Sequence, residues 1–411
     1  MRLGSVRPSP ALVRLCLLAL LFLAIAAAGC GSKKRAPSVG WLRSSDSLLS
    51  GIPKDQAMTG VIAAGPGFVA WGFDLSSDIG DGAIWTSDDG NGWNPVIGKA
   101  SFSGPGNQTI AGMVAGGPGL IAVGSAGTEA QTTMQDDAAV WTSKEGLSWT
   151  RLPDDAATFG GGGQQGMSDI TAGGPGFVAV GEDFSGGDAD AAVWTSKDGF
   201  TWQRVAKDPA VFGGSGDQEM GKVVAGEFGL VATGFDDSAG TVDVAVWTSK
   251  DGLNWQRVPD DPLVFGGAGV QLMADLVAAG PGLVAVGLDS SSGKSVAAVW
   301  TSKDGSSWTR VLNDANVFGG FEDRQMTAVT RGGPGLVAVG CSGVFISCDG
   351  AVWTSKDGNS WKREAVDSAI FGGNGAQVPM GIAAKGSDLV AVGSDAAKGD
   401  RDPAVWISKA G

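Results

Sequence analysis

The chain carries one hexapeptide seven times. Trp85, Trp141, Trp194, Trp247, Trp300, Trp353 and Trp406 each open a Trp-Thr-Ser-Lys-Asp-Gly-like run, at intervals of 56, 53, 53, 53, 53 and 53 residues. A period near fifty, built of short apolar runs between glycine-rich turns, marks a propeller or an array rather than one conventional core.

The two ends of the chain decide between ring and open stack. Inside the chain each turn is followed by a second Trp, as in Gly252-Leu253-Asn254-Trp255, and about eighteen residues later by a Met that begins the next unit. The seventh copy stops in its turn at Gly411. Val39-Gly40-Trp41-Leu42-Arg43 supplies the missing second-Trp segment at the other end, and Met58 follows Trp41 at nearly the interval from Trp308 to Met326. An open solenoid has no reason to divide one repeat between its ends, whereas a ring pairs its first and last strands and leaves no edge. Residues 39–411 number 373, close to seven periods of 53. The expected fold is all-β, a seven-bladed propeller of four-stranded antiparallel blades with the last blade closed by the N-terminal strand. The blades are expected at about 58–107, 108–165, 166–218, 219–271, 272–325, 326–378, and 379–411 joined by 39–57.

Residues 1–29 read as a targeting signal, in which Arg2, Arg7 and Arg14 precede an apolar run from Leu15 to Ala28 that is short for a bilayer span. The signal ends in Ala27-Ala28-Gly29-Cys30, which resembles the lipobox of bacterial lipoproteins, where cleavage precedes an acylated Cys. The resemblance implies lipidation at Cys30, a tether over 30–38, and an extracytoplasmic domain held to the membrane through lipid alone. Cys16 leaves with the signal, so the folded part keeps Cys341 and Cys348. An exported domain meets an oxidising environment, and a disulfide across this short hairpin is expected, worth roughly 2–3 kcal/mol in the chain-entropy account. Losing three arginines and no acid takes the net charge from −14 to −17. A domain that acidic should repel nucleic acid and anionic lipid headgroups. The expected partner of this monomer is an envelope protein or polysaccharide.

Within one repeat, Val223-Val224-Ala225, Gly229–Thr233, Val244–Thr248 and Trp255–Val258 read as strands A to D, from ring centre to rim. The glycine-rich A-to-B turn, as in Gly173-Gly174-Pro175-Gly176, precedes a strand rather than a helix and is no phosphate cradle. The C-to-D turn Thr86-Ser87-Asp88-Asp89-Gly90-Asn91-Gly92-Trp93 resembles the Asp-box of the BNR propellers, with Lys in place of the motif Asp in copies such as Thr195-Ser196-Lys197-Asp198-Gly199-Phe200-Thr201-Trp202. The resemblance implies a sialidase-like propeller in which the box is a folding element. A hairpin centred on Asp251 would set Trp247 opposite Trp255 with Arg257 diagonal to Asp243. Strand alternation then puts all four on one face, where the tryptophans serve as blade-to-blade core.

Three sets of polar residues are candidates for function. An Asp stands four residues before the strand-C Trp in six blades, at Asp81, Asp137, Asp190, Asp243, Asp349 and Asp402, with Val296 in the remaining one. These are expected to pair across the blade with Arg151, Arg204, Arg257, Arg363 and, over the closure, Arg43. A Gln precedes strand A in every blade, at Gln56, Gln108, Gln165, Gln218, Gln271, Gln325 and Gln377. These amides near the channel mouth suit either a polar ligand or the backbone of the next blade. The acidic B-to-C loops, including Glu182, Asp183, Asp236 and Asp237, vary most between copies and are expected on the ligand face. Calcium is conceivable there, yet no loop has regular calcium-site spacing, and no cofactor or metal site is expected.

The BNR resemblance raises sialidase first, a chemistry that uses a Tyr nucleophile and three arginines. The chain has no Tyr and no His, which also removes Ser-His-Asp and Cys-His catalysis. A two-carboxylate glycosidase or lyase stays open, but every Asp considered sits in a repeated motif. The departures from symmetry are Trp71, Val296, the Cys341 to Cys348 hairpin and Phe321-Glu322-Asp323. The reading preferred from sequence is a non-catalytic, envelope-anchored propeller, not an enzyme, that binds its ligand through the B-to-C and D-to-A loop face. The alternative is a glycan-processing enzyme of the BNR class.

Overall fold

The structure, a computed structural model, describes residues 40–44, 55–76, 80–96, 102–104, 106–127, 136–279, 282–319, 322–333, 335–344 and 347–409. The signal, Cys30, the tether and Phe321 lie outside the described residues. Twenty-eight strands, β1–β28, form seven four-stranded antiparallel sheets. In the fourth blade they are β14 (Gln218–Gly226), β15 (Gly229–Asp236), β16 (Asp243–Ser249) and β17 (Trp255–Arg257), paired in that order.

The innermost strands are β2 (Gln56–Ile62), β6 (Gln108–Gly116), β10 (Gln165–Gly173), β14, β18 (Gln271–Val277), β22 (Arg324–Gly332) and β26 (Gln377–Lys385), each in contact with the next and β26 with β2. The ring is closed. The last blade takes β1 (Trp41–Arg43) as its outer strand, with Trp41 opposite Ser408 and Arg43 opposite Trp406. Trp255 and Arg257 stand in the same way to Ser249 and Trp247. Arg43 lies over the Trp406 ring at 5.6 Å, as Arg257 lies over Trp247 at 5.4 Å. The strand β1 thus takes the place that a continuous hairpin gives the outer strand of the other blades.

Blades hold together face to face. Val178, Val180 and Val193 of the third blade pack against Met220, Val223, Trp247 and Trp255 of the fourth. Both tryptophans of each blade are therefore core, as expected. The strand-C indole also donates to the preceding connection, Trp247 Nε1 to the Val211 carbonyl at 2.7 Å and Trp300 Nε1 to Val264 at 2.7 Å. Two of these connections hold one helical turn each, α1 (Pro209–Phe212) and α2 (Ser368–Phe371), capped by Asp208 and Asp367.

The C-to-D hairpin differs from the expected register by two residues, since Arg257 rather than Trp255 lies opposite Trp247. Its turn differs too. Asp198 Oδ1 accepts from the backbone N–H groups of Phe200 and Thr201 at 2.8 and 2.7 Å, and Ser196 Oγ accepts from Gly199 N at 2.9 Å. Asp89 does the same for Asn91 and Gly92. The turn-forming carboxylate is thus the residue after Lys197 and has not been lost to Lys. Hydrogen bonds from Asn254 and Leu253 pull the Asp251 carboxyl down to about 2.

Candidate functional site

The residues singled out from sequence are, for the most part, internal struts. Gln165, Gln218, Gln271 and Gln377 are fully buried, and Gln56 and Gln108 nearly so. Gln271 Nε2 donates to Asp289 Oδ1 at 3.1 Å and to the Ala268 carbonyl at 3.3 Å. Gln165 with Asp183, Gln218 with Asp236, and Gln377 with Asp395 repeat the first of these bonds. Gln325 is not part of the set. In its blade Arg324 holds the register position opposite Ser342, while Gln325 lies opposite Cys341 and donates to its Sγ at 3.6 Å.

The arginines choose other partners than expected. Arg204, Arg257, Arg310 and Arg43 pair with Asp183, Asp236, Asp289 and Asp395 at the ends of the B strands, and Arg151 pairs with Asp154. The two-residue change in hairpin register carries the guanidinium groups of Arg43, Arg204, Arg257 and Arg310 beside the strand-C Trp, within reach of strand B. The strand-C acids instead lie against the glycine pairs of the following connection: a Cβ on Gly160, Gly213, Gly266 or Gly372 would meet Asp137, Asp190, Asp243 or Asp349. Lys207 and Lys398 pair with Asp190 and Asp402.

The proposed ligand-face acids are absorbed as well. Glu182 is buried and accepts from Ser168 Oγ at 3.0 Å, and Asp237 accepts from Asp217 N at 2.7 Å. With Asp183 and Asp236 holding Gln and Arg, these side chains are committed to the fold. Among the described residues no group of three or more acids or thiols is arranged to hold a metal. Cys341 and Cys348 are both buried and present as thiols, so the expected bridge is not formed in this structure. Cys341 stands opposite Gly350, which makes Cys348 a diagonal neighbour rather than its cross-strand partner. The Cys341 side chain is hydrogen-bonded to Cys348 and, with burial, pushes its thiol up.

A different set breaks the symmetry. Every innermost strand carries a β-bulge, and the residue after it is Gly60, Gly112, Asp169, Lys222, Asp275, Ala328 or Gly381. Three consecutive blades therefore place Asp, Lys and Asp where the other four have Gly or Ala. The strands come close at this level, since a Cβ on Gly112 would lie 2.8 Å from Asp169 Cα and one on Gly381 2.8 Å from Gly60 Cα. Bulges re-aim side chains and recur beside active sites. Sequence reasoning missed this trio, although the departure from glycine and alanine is its signal.

Each carboxylate reaches across to the next blade. Asp169 Oδ2 accepts from Val223 N at 2.9 Å and Asp275 Oδ2 from Val329 N at 2.8 Å. Both lie on the innermost strands and are half-buried. Burial raises both carboxyls, opposed by the Lys222 charge and these backbone bonds, and Asp169 adds to the rise at Asp275. Burial works against the Lys222 ammonium, but the two carboxylates together lift it. The result is a cation whose charge acts on two acids that hold their protons more tightly than usual. That arrangement can donate one proton, accept another and steady charge between them.

No family model and no curated protein matches the chain. Solved structures do. A protein of unknown function from Dyadobacter fermentans is similar at 12% identity and a TM-score of 0.48, over 90% of this chain and 98% of that one. The Trypanosoma rangeli sialidase is similar at 12% identity and 0.46, over 91% of this chain and 60% of that one. A Bombyx mori family 32 β-fructofuranosidase is similar at 10% identity and 0.39, over 90% and 92%. At such identities and TM-scores the likeness concerns the β-propeller fold alone, and no site residue is carried over from it. Enzymes nevertheless predominate among these neighbours, with glycoside hydrolases of families 43 and 117 as well. The expectation from sequence that the chain is not an enzyme is withdrawn.

Proposed function

We propose that the protein is a glycan-processing propeller of the BNR type, exported and held to the membrane through Cys30, whose reactive centre is the Asp169, Lys222 and Asp275 trio. The observation that carries this reading is the trio itself. Among seven equivalent positions, only three consecutive ones are charged, and they combine two carboxyls raised by burial with a cation. Asp275, raised also by its neighbour's charge, is the acid that protonates the departing glycosidic oxygen as the C–O bond breaks. Asp169 takes the proton of the attacking water. Lys222 holds the second carboxylate ionised. The substrate is an envelope polysaccharide.

The test is reducing-end release from envelope polysaccharides by the wild type, Asp169→Asn and Asp275→Asn. Asn keeps an acceptor for Val223 N or Val329 N, so the ring stays folded, which thermal melting checks. Turnover should fall at least 100-fold in each variant, as removal of a general acid or base typically costs 100- to 10,000-fold. Full turnover in both variants, or no turnover by the wild type on any such polymer, would refute the assignment.

A further inference from the structure

The end of the ring that carries the A-to-B and C-to-D turns holds an open cleft of about 1030 Å³ between the fourth, fifth and sixth blades. Lys250, Lys303, Lys356 and Arg331 line it, against Glu227 and Asp304. Four cations to two acids is a local reversal in a chain whose net charge is −14. Lys250 is occupied, its Nζ donating to the Phe228 carbonyl at 2.6 Å. Among the described residues, Lys303, Lys356 and Arg331 are exposed and make no ion pair or side-chain hydrogen bond.

Two of the lining features are absent from the other blades. Arg331 lies opposite Leu336, in the position that Ala115, Ala172, Ala225 and Ala384 hold opposite Leu120, Phe177, Leu230 and Leu389. Ala63 and Ala278 match it in the remaining two repeats. Packing at that position is thus satisfied by a methyl group in six blades, and a guanidinium in the seventh answers to something outside the fold. Glu227-Phe228 likewise replaces the Gly-Pro pair of turns such as Gly174-Pro175. Both departures fall on this one cleft.

We infer that the cleft binds an acidic oligosaccharide, with Arg331, Lys303 and Lys356 each meeting a carboxylate of successive uronic acid units. Lys303 comes from the fifth blade and Arg331 and Lys356 from the sixth, so the cleft presents charges from two adjacent blades. A polymer with several carboxylates engages cations of both blades at once, whereas a single inorganic anion engages one cation at a time. The inference is independent of the channel trio, which lies on the innermost strands.

The test uses residues 39–411, which close the ring without the preceding segment, and three probes: oligogalacturonate, inorganic phosphate and phosphatidylglycerol vesicles. Saturable oligogalacturonate binding that weakens with salt is expected. Arg331→Ala, which installs the residue of the other six blades, should weaken it at least fivefold, and Lys303→Ala with Arg331→Ala further, while Asp275→Asn leaves it unchanged. The inference is overturned if Arg331→Ala binds as the wild type does, if phosphate competes as well as the oligomer per mole, or if only the vesicles bind. Loss of turnover with this binding intact, or the reverse, separates the fate of the two sites.

Discussion

Replacing Trp41 by Ala measures whether the ring is closed by an integral strand or by a loosely laid end. Trp41 is 5% exposed and Trp255, its counterpart inside the chain, 6%. Trp41 packs edge-on against Phe371 at 5.6 Å and lies in one cluster with Val337, Val339 and Val352 of the sixth blade. Truncating a buried Trp to Ala costs about 3–5 kcal/mol. An unfolding entropy of about 2.1 cal/mol/K per residue gives roughly 0.8 kcal/mol/K for a ring of this size, so the melting temperature should fall by roughly 4–6 °C. Thermal and denaturant unfolding of Trp41→Ala and Trp255→Ala, side by side, should give equal losses. Excision of residues 39–45 should go further and produce oligomers, because β28 (Asp402–Ser408) would become an open edge. A Trp41→Ala loss under about 1 kcal/mol, beside a full loss for Trp255→Ala, would refute integral closure.

Asp289 gives a pH-dependent counterpart. Burial opposes its charge, yet bonds from Ser291, Gln271 and Arg310 hold the carboxyl down to about 2 from 3.8. A depressed folded-state value stabilises the fold above the unfolded value and is lost as pH falls through the folded one, here between about 4 and 2. At about 1.4 kcal/mol per unit, Asp289→Asn should cost roughly 2 kcal/mol at pH 7, with the gap from wild type closing across that window; a gap independent of pH would contradict the account. For Cys341 and Cys348, mild oxidation should abolish both titratable thiols and raise the melting temperature by roughly 2–4 °C, from roughly 2–3 kcal/mol of loop-closure entropy. Two thiols still titrating after oxidation would sink the disulfide.

The ring was legible in the sequence because each copy repeats both its tryptophans and its turn, and because Trp41 and Trp406 complete each other. The register of the C-to-D hairpin was not, since the motif gives the turn's residues without saying which carboxylate folds back onto its N–H groups. Asp198 does so and Lys197 does not, and the two-residue change of register that goes with it sets Arg43, Arg204 and Arg257 on the strand-B acids instead of the strand-C ones. The Gln set was visible as a pattern, but its role depends on partners eighteen residues away, such as Asp289 for Gln271. Asp169, Lys222 and Asp275 were hidden for a third reason. A bulge interrupts the two-residue alternation of each innermost strand, so counting from Met167 or Met220 assigns the wrong face to the residues that follow.

A repeat protein can change residues without loss only where no neighbouring blade depends on them. The tryptophans, the turn carboxylates and the Gln-Asp-Arg struts each bind one blade to itself or to the next, and removing one partner of such a pair leaves the other without it. Two kinds of position escape that constraint. One is the residue after the bulge, where Gly or Ala suffices in four blades. The other is the rim of the A-to-B turn, where Ala suffices in six. Charged residues at these positions bring no packing benefit and, on the inner wall, a desolvation cost that raises two carboxyls. A fold with seven closely similar units that nonetheless carries this cost in three adjacent ones, and places Arg331 on the cleft beside them, has these departures from symmetry concentrated in the sector from the third to the sixth blade.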